Sequence, residues 1–236
     1  MNRKFITLII VMMILIVAVS SNVPSGPTIE YFKNETVDPN PSTFINTSGG
    51  SFTTLNLNLT SQNYKWKAYV GNVTGKLTLD DSVNNTIYDW TLSTVSGNVY
   101  ATRNGSIDWT SLSCADRTTI YGEETYLSID TSKDDSINST FTNEVHKSFY
   151  ASNNFITNST CPAIATYVND QAQAQSEDAD FQEILLEDSA GTLIYTTVIE
   201  NNVIGFDTNP YDFQMIVADD ETTTTNVPYY FYVELR

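Results

Sequence analysis

The sequence predicts a mainly β protein: one or two antiparallel, β-sandwich-like units preceded by an N-terminal hydrophobic signal or anchor helix. Three observations carry this. Ser, Thr and Asn make up nearly a third of the 236 residues; Thr suits a pleated surface through its branched Cβ, while Asn and Ser bond their own backbone and favour turns. Lys and Arg number only 11, which leaves long amphipathic helices short of their usual basic residues. Apolar and polar residues alternate over short stretches between Gly- and Asn-rich turns, the period of half-buried strands.

The N-terminus fixes the expected compartment. Asn2, Arg3 and Lys4 precede the apolar run "FITLIIVMMILIVAV", with small residues Ala18 and Ser20 ahead of "SNVPSGP", the shape of a signal peptide cut after Ser20. Fifteen residues at 1.5 Å rise cover about 22 Å, short of the roughly 30 Å hydrocarbon core, which favours cleavage over a retained anchor. Either outcome sends the remainder outside. Residues 1–20 are thus a signal peptide or membrane anchor, and 21–50, rich in Pro, Asn, Thr and Ser, read as a polar linker.

A first β unit is expected over residues 51–112. "TLNLNLT" sets Leu55, Leu57 and Leu59 on one face and Asn56 and Asn58 on the other. In "YKWKAYV", Tyr64, Trp66, Ala68 and Val70 share a face opposite Lys65, Lys67 and Tyr69. "GKLTL", the turn "DDSVNN" and "TIYDWTL", with Tyr88, Trp90 and Leu92 aligned, make a hairpin, followed by "GNVYATR" and "SIDW". Trp66, Trp90 and Trp109 are all expected to face inward.

The second unit, 113–236, starts loop-rich. "ADRTTIYGEETYLSI" has room for a short helix, and "VNDQAQAQSEDADF" reads as a polar loop. "FQEILLEDSAGTLIYTTVIE" is the clearest hairpin, turning at 188–191 with Leu193, Tyr195, Thr197 and Ile199 on one face. "DFQMIVA" and "VPYYFYVEL" supply two closing strands, the last apolar enough for burial on both faces or for pairing with a neighbouring subunit.

Export decides the reading of Cys114 and Cys161, the two cysteines of the chain. In an oxidising compartment an even pair joins. Eight Asn-x-Ser/Thr acceptors for N-glycosylation occur, at Asn34, Asn46, Asn58, Asn72, Asn84, Asn104, Asn138 and Asn158, whereas Pro41 disqualifies Asn40.

Reactive chemistry is sparse. His146 is the sole histidine and has no nucleophile motif near it, so it reads as a surface residue. Asp80 with Asp81, Glu123 with Glu124, and Asp219 with Asp220 are paired carboxylates, but neighbours in turn-like stretches diverge rather than flank a glycosidic bond. Asp130, Asp134, Asp135 and Asn138 lie close together yet lack the Gly and closing Glu of an EF-hand loop. No catalytic group, metal or cofactor is therefore expected. The net charge of −17 argues against a nucleic-acid partner.

The stretches "WKAYVGNVTGKLTLDDSVNNTIYDW", "GNVYATRNGSIDW" and "GFDTNPYDFQMIVADDETTTTNVPYYFYVEL" resemble a group of uncharacterised secreted, cell-surface β-rich proteins of archaea. The resemblance spans roughly residues 66–235. It implies an archaeal origin and an envelope location, and it transfers no activity to any residue. The expected function is that of an extracellular cell-surface glycoprotein with a structural, adhesive or assembly role. A secreted carbohydrate-binding module and a secreted glycoside hydrolase or other hydrolase are the alternatives. Expected partners are the cell envelope or other surface proteins, further copies of the chain, and glycans, with the membrane met only through the N-terminal segment.

Overall fold

The computed structural model describes residues 23–35, 46–57, 63–83, 85–220 and 227–236. The expected N-terminal helix, Leu59, and acceptors Asn58 and Asn84 lie outside these residues. Among the described residues no helix is long and apolar enough to cross a membrane.

The chain is mainly β and its strand pairings are antiparallel. In order it forms β1 (Trp66–Gly71), β2 (Lys76–Asp80), β3 (Thr86–Thr91), β4 (Gly97–Thr102), β5 (Ser113–Cys114), α1 (Arg117–Tyr126) and α2 (Ile137–Thr140). Then come β6 (Phe149–Ala151), β7 (Asn154–Ile156), β8 (Ala163–Ala165), β9 (Gln182–Glu187), β10 (Leu193–Val198), β11 (Val203–Ile204), β12 (Pro210–Tyr211), β13 (Phe213–Ala218) and β14 (Tyr230–Leu235).

A six-stranded sheet organises the molecule in the order β14-β4-β10-β9-β5, with β8 also on β9. It takes β4 from before residue 113 and its other strands from residue 113 onward. The β9–β10 hairpin forms where the sequence places it, with Leu193 opposite Glu187 and Thr197 opposite Glu183. Asp188 organises the turn by accepting from the Ala190 and Thr192 amides at 3.0 Å each, and Gly191 takes φ +73°.

Both faces of this sheet are covered, which explains the near-continuous apolar runs in its strands. Val99, Ala101, Leu185, Leu193 and Tyr195 point into one core, which Met215, Val217 and Ala218 of β13 and Ile120 of α1 close from the other side. Tyr100, Ile184, Leu186 and Ile194 point into the second, with Trp109, Leu112, Phe149 and Ile156. Odd and even positions of each strand therefore serve different cores. The β1–β13 ribbon lies over the first core, pairing Trp66 with Ala218 through Gly71 with Phe213. Trp66 and Tyr69 both pack against this core, where strict alternation puts them on opposite faces.

The expected short helix is α1. Asp116 caps it, its carboxylate accepting from the Thr119 amide at 2.8 Å. At the start of β4, Gly97 has φ +134°, and a Cβ there would lie 1.8 Å from the Glu234 carbonyl oxygen. Only glycine fits.

The leader does not run free throughout. Ser25 forms an antiparallel bridge with Val233, donating its amide at 3.1 Å and accepting at 2.9 Å. Pro24 is buried and Pro27 follows; lacking amide protons, they confine the pairing on this edge of β14 to one point.

Candidate functional site

The residues singled out for chemistry are placed in structural roles that separate them. Glu123 and Glu124, adjacent on α1, diverge: Glu123 takes Arg103 in a two-pronged ion pair at 2.5 and 2.6 Å, while Glu124 accepts from the Asn138 amide at 2.7 Å. Asp80 accepts from the Thr86 hydroxyl at 2.8 Å, and Asp81 accepts from the amides of Val83 and Asn85. Asp219 pairs with Lys67 at 2.9 Å. In the acidic stretch from Asp130 to Asn138, Asp130 accepts from Ser132, and Asp135 pairs with Lys65 at 2.7 Å. Among the described residues no group of three or more His, Cys, Asp or Glu is placed to hold a metal ion.

His146 corrects a sequence expectation. Rather than lying at the surface, it is fully buried. Its Nδ1 lies 2.7 Å from the Lys147 carbonyl oxygen, so Nδ1 carries the proton, and Nε2 accepts from the amides of Thr160 and Cys161 at 3.2 and 3.0 Å. Burial pushes its pKa below 6.5. The ring thus holds the chain at one of the two cysteines. Cys114 and Cys161 stand at disulfide distance, with Cα atoms 4.8 Å apart. The fold explains their meeting: β5 and β8 occupy opposite ends of the same edge of β9, opposite Leu186 and Ile184 respectively. A residue pair 47 apart in sequence thereby becomes adjacent.

Of the glycosylation acceptors in described regions, Asn34, Asn46, Asn72, Asn104 and Asn158 are exposed, and Asn138 is half-buried in α2. A cavity of about 590 Å³ beside Asn104 is bordered by Arg103, Glu123, Tyr126 and Thr192. Its cation is engaged on two sides, by Glu123 and by the Tyr126 ring 3.6 Å beneath the guanidinium.

Among the described residues, the β2–β3 hairpin is a ribbon exposed along both of its strands. Leu77 opposes Trp90 and Leu79 opposes Tyr88, so these four side chains share one face, with the Tyr88 and Trp90 rings 4.6 Å apart, edge to face. The other face carries Lys76, Thr78, Asp80, Asp89 and Thr91, with Lys76 and Asp89 in an ion pair. Ile87 sits at an irregularity between these registers. Every residue of both strands is exposed; Leu77, Leu79, Tyr88 and Trp90 keep 47–56% of their surface in contact with solvent. Trp90 therefore departs from the inward placement expected of all three tryptophans. Trp109 is buried between Tyr100 and Tyr232, and Trp66 is half-buried with its indole N–H donating to the Asp135 carbonyl at 2.9 Å. Alternation announced an amphipathic ribbon correctly; it carried no information on whether the protein itself covers the apolar side.

The hairpin root is tightly fixed. The Leu92 amide donates to the Gly75 carbonyl at 3.0 Å. A Cβ on Gly75 would come within 2.7 Å of Leu92 and Leu235 side-chain atoms, so the backbone approaches the end of β14 closely.

Comparison with protein families, with curated proteins and with solved structures finds no match.

Proposed function

We propose that the protein is an extracellular cell-surface glycoprotein of an archaeal envelope with a non-catalytic structural, adhesive or assembly role. The observation that carries this reading is the apolar face of the β2–β3 hairpin. A contiguous apolar patch of a few hundred Å² left open to solvent is often functional, and this one offers a contact surface. The exposed acceptors at Asn34, Asn46, Asn72, Asn104 and Asn158 and the paired cysteines support an exported chain, and so does the apolar run at residues 5–19. The β1–β13 ribbon facing the six-stranded sheet across a core supports a sandwich-like unit.

The test is fractionation of the producing cells followed by intact mass with and without reduction and deglycosylation. The reading expects envelope location, glycan mass, and a two-proton mass gain on reduction of the described cysteine pair. An unmodified chain in the cell interior contradicts it.

A second reading, a carbohydrate-binding module, is favoured by Tyr121 and Tyr126, both exposed on α1, with Tyr126 at the rim of the Arg103 cavity. Specific retention on a glycan array, lost in Tyr126→Ala and kept in Leu79→Asp, separates it from the first.

A further inference from the structure

We infer that the cavity of about 590 Å³ beside Asn104 is a seat for a neutral sugar unit, and that the N-linked glycan of Asn104 itself delivers it. The inference rests on the glycoprotein reading above and gives one of its glycans a place in the fold.

One face of α1 shapes the cavity. Thr119, Gly122, Glu123 and Tyr126 lie at i, i+3, i+4 and i+7, which stacks them along the same side of the helix, and all four line the cavity. Gly122 is the informative one. A glycine inside a helix is destabilising relative to alanine, and packing does not require it here, because a Cβ on Gly122 would meet nothing within 4 Å. Its lack of a side chain keeps the cavity open.

The lining suits a neutral, hydroxyl-rich ligand. Arg103 and Glu123 form an ion pair of no net charge, and Glu123 is only 8% exposed, so an anion would have to displace a buried carboxylate from the guanidinium. The pair still offers both kinds of hydrogen bond. Its fork uses Nε and Nη2, so Nη1 can donate to a ligand hydroxyl, while the carboxylate keeps lone pairs that can accept. Tyr126 is 66% exposed with the guanidinium over one face of its ring, which leaves the other face for the C–H side of a sugar. The volume is that of small-ligand sites, about 300–1,000 Å³.

Asn104 is placed to fill this seat in cis. It stands on the cavity rim just after β4, in the acceptor Asn104-Gly105-Ser106. Its Oδ1 accepts from the Ser106 amide at 3.0 Å, and this turns Nδ2, the atom that carries an N-linked sugar, toward the hydroxyl of Thr192 in the cavity wall, 3.4 Å away. Attachment replaces one Nδ2–H bond by a bond to the anomeric carbon of a glycosyl-phosphate donor, whose phosphate leaves with the proton. The first sugar therefore begins at the wall. Covalent attachment holds it at an effective concentration on the order of millimolar, so contacts too weak to capture a saccharide from solution suffice.

The experiment is hydroxyl-radical labelling of the native chain isolated from its envelope, read by mass spectrometry at Tyr126. Tyr121, exposed on α1 but outside the cavity lining, is the internal reference. The chain is compared with Ser106→Ala, which keeps Asn104 and loses its glycan, and both are repeated in a Gly122→Leu background that fills the cavity, with thermal unfolding to check folding. The glycan is expected to slow labelling of Tyr126 by at least about threefold, the result of a sugar seated most of the time, and to leave Tyr121 unchanged. In the Gly122→Leu background the glycan is expected to have no effect on Tyr126. Oligosaccharide released from the protein is expected to bind Ser106→Ala no more tightly than millimolar. Equal labelling of Tyr126 with and without the glycan, or a protection that survives Gly122→Leu, overturns the inference. Micromolar binding of the released oligosaccharide overturns delivery in cis and assigns the cavity to a saccharide from outside. An Asn104 without glycan on a chain glycosylated elsewhere defeats this inference alone; an unmodified intracellular chain defeats the proposed function.

Discussion

The β9–β10 hairpin and the β2–β3 hairpin are written in the same residue types and end in opposite surroundings. In the first, Leu185, Leu186, Ile194 and Tyr195 are completely buried between two cores. In the second, Leu77, Leu79, Tyr88 and Trp90 alternate just as regularly and remain half exposed. The contrast teaches that alternation reports how a ribbon's faces differ, whereas burial depends on which distant segments return to cover it. For β10 these are β13, β4 and α1; for β2–β3, among the described residues, no other element lies over the apolar face.

Four measurements sharpen or break this contrast. The largest effect is expected at the edge of β9, where reduction of the Cys114–Cys161 pair frees a long loop and costs about 4 kcal/mol in the chain-entropy account, read as a fall in denaturant midpoint. Little change on reduction would mean that β5 and β8 hold to β9 without it.

Next, Ile194→Ala is expected to cost about 2–5 kcal/mol by cavity formation, against less than about 1 kcal/mol for Leu79→Ala on a face that is already solvated. Equal costs measured by urea unfolding in dilute solution would erase the distinction between the two hairpins.

The third uses pH, and two buried titratable groups, Glu183 and His146, act with opposite signs. Glu183 is buried in β9 with its Oε2 accepting from the Ile216 amide at 2.8 Å, and burial raises its pKa well above 4.5. Its folded form holds the proton longer than the unfolded chain does, so its contribution is complete below pH 4.5 and is lost as pH rises toward the folded value. His146 is the reverse: with its pKa lowered, its contribution is complete above pH 6.5 and is lost as pH falls toward the folded value. Glu183→Gln should flatten the alkaline loss and His146→Gln the acidic one in stability-against-pH curves. A pH profile unchanged by either variant contradicts this assignment.

The smallest effect concerns α1. Asp116→Ala removes the cap on the Thr119 amide and should cost about 1 kcal/mol. Hydrogen exchange at the first turn of α1 reads it directly, and unchanged protection there would show that packing of Ile120 suffices.

Much of the fold was legible from residues alone. "EILLEDSAGTLIY" announced its hairpin because a turn that needs Asp and Gly sits between two apolar runs, and "ADRTTIYGEETYLSI" showed room for the short helix α1, though its cap at Asp116 was not singled out. His146 was misread because a lone histidine among polar neighbours looks exposed; its burial depends on amides of Thr160 and Cys161, 14 and 15 residues further along, brought over by the β9 edge. The bridge at Ser25 was likewise invisible, since a Pro- and Ser-rich leader gives no sign of a partner at Val233. The contact face was half legible: its residues could be assigned to one side of a ribbon, but its exposure follows from long-range topology that no local pattern encodes.

The most direct test of the hairpin as a contact surface is amide hydrogen exchange on the isolated chain and on the chain in its envelope. The β2–β3 amides should gain protection in the envelope, while those of β9 and β10, already sealed between two cores, stay constant. Equal protection of β2–β3 in the two states would contradict the account.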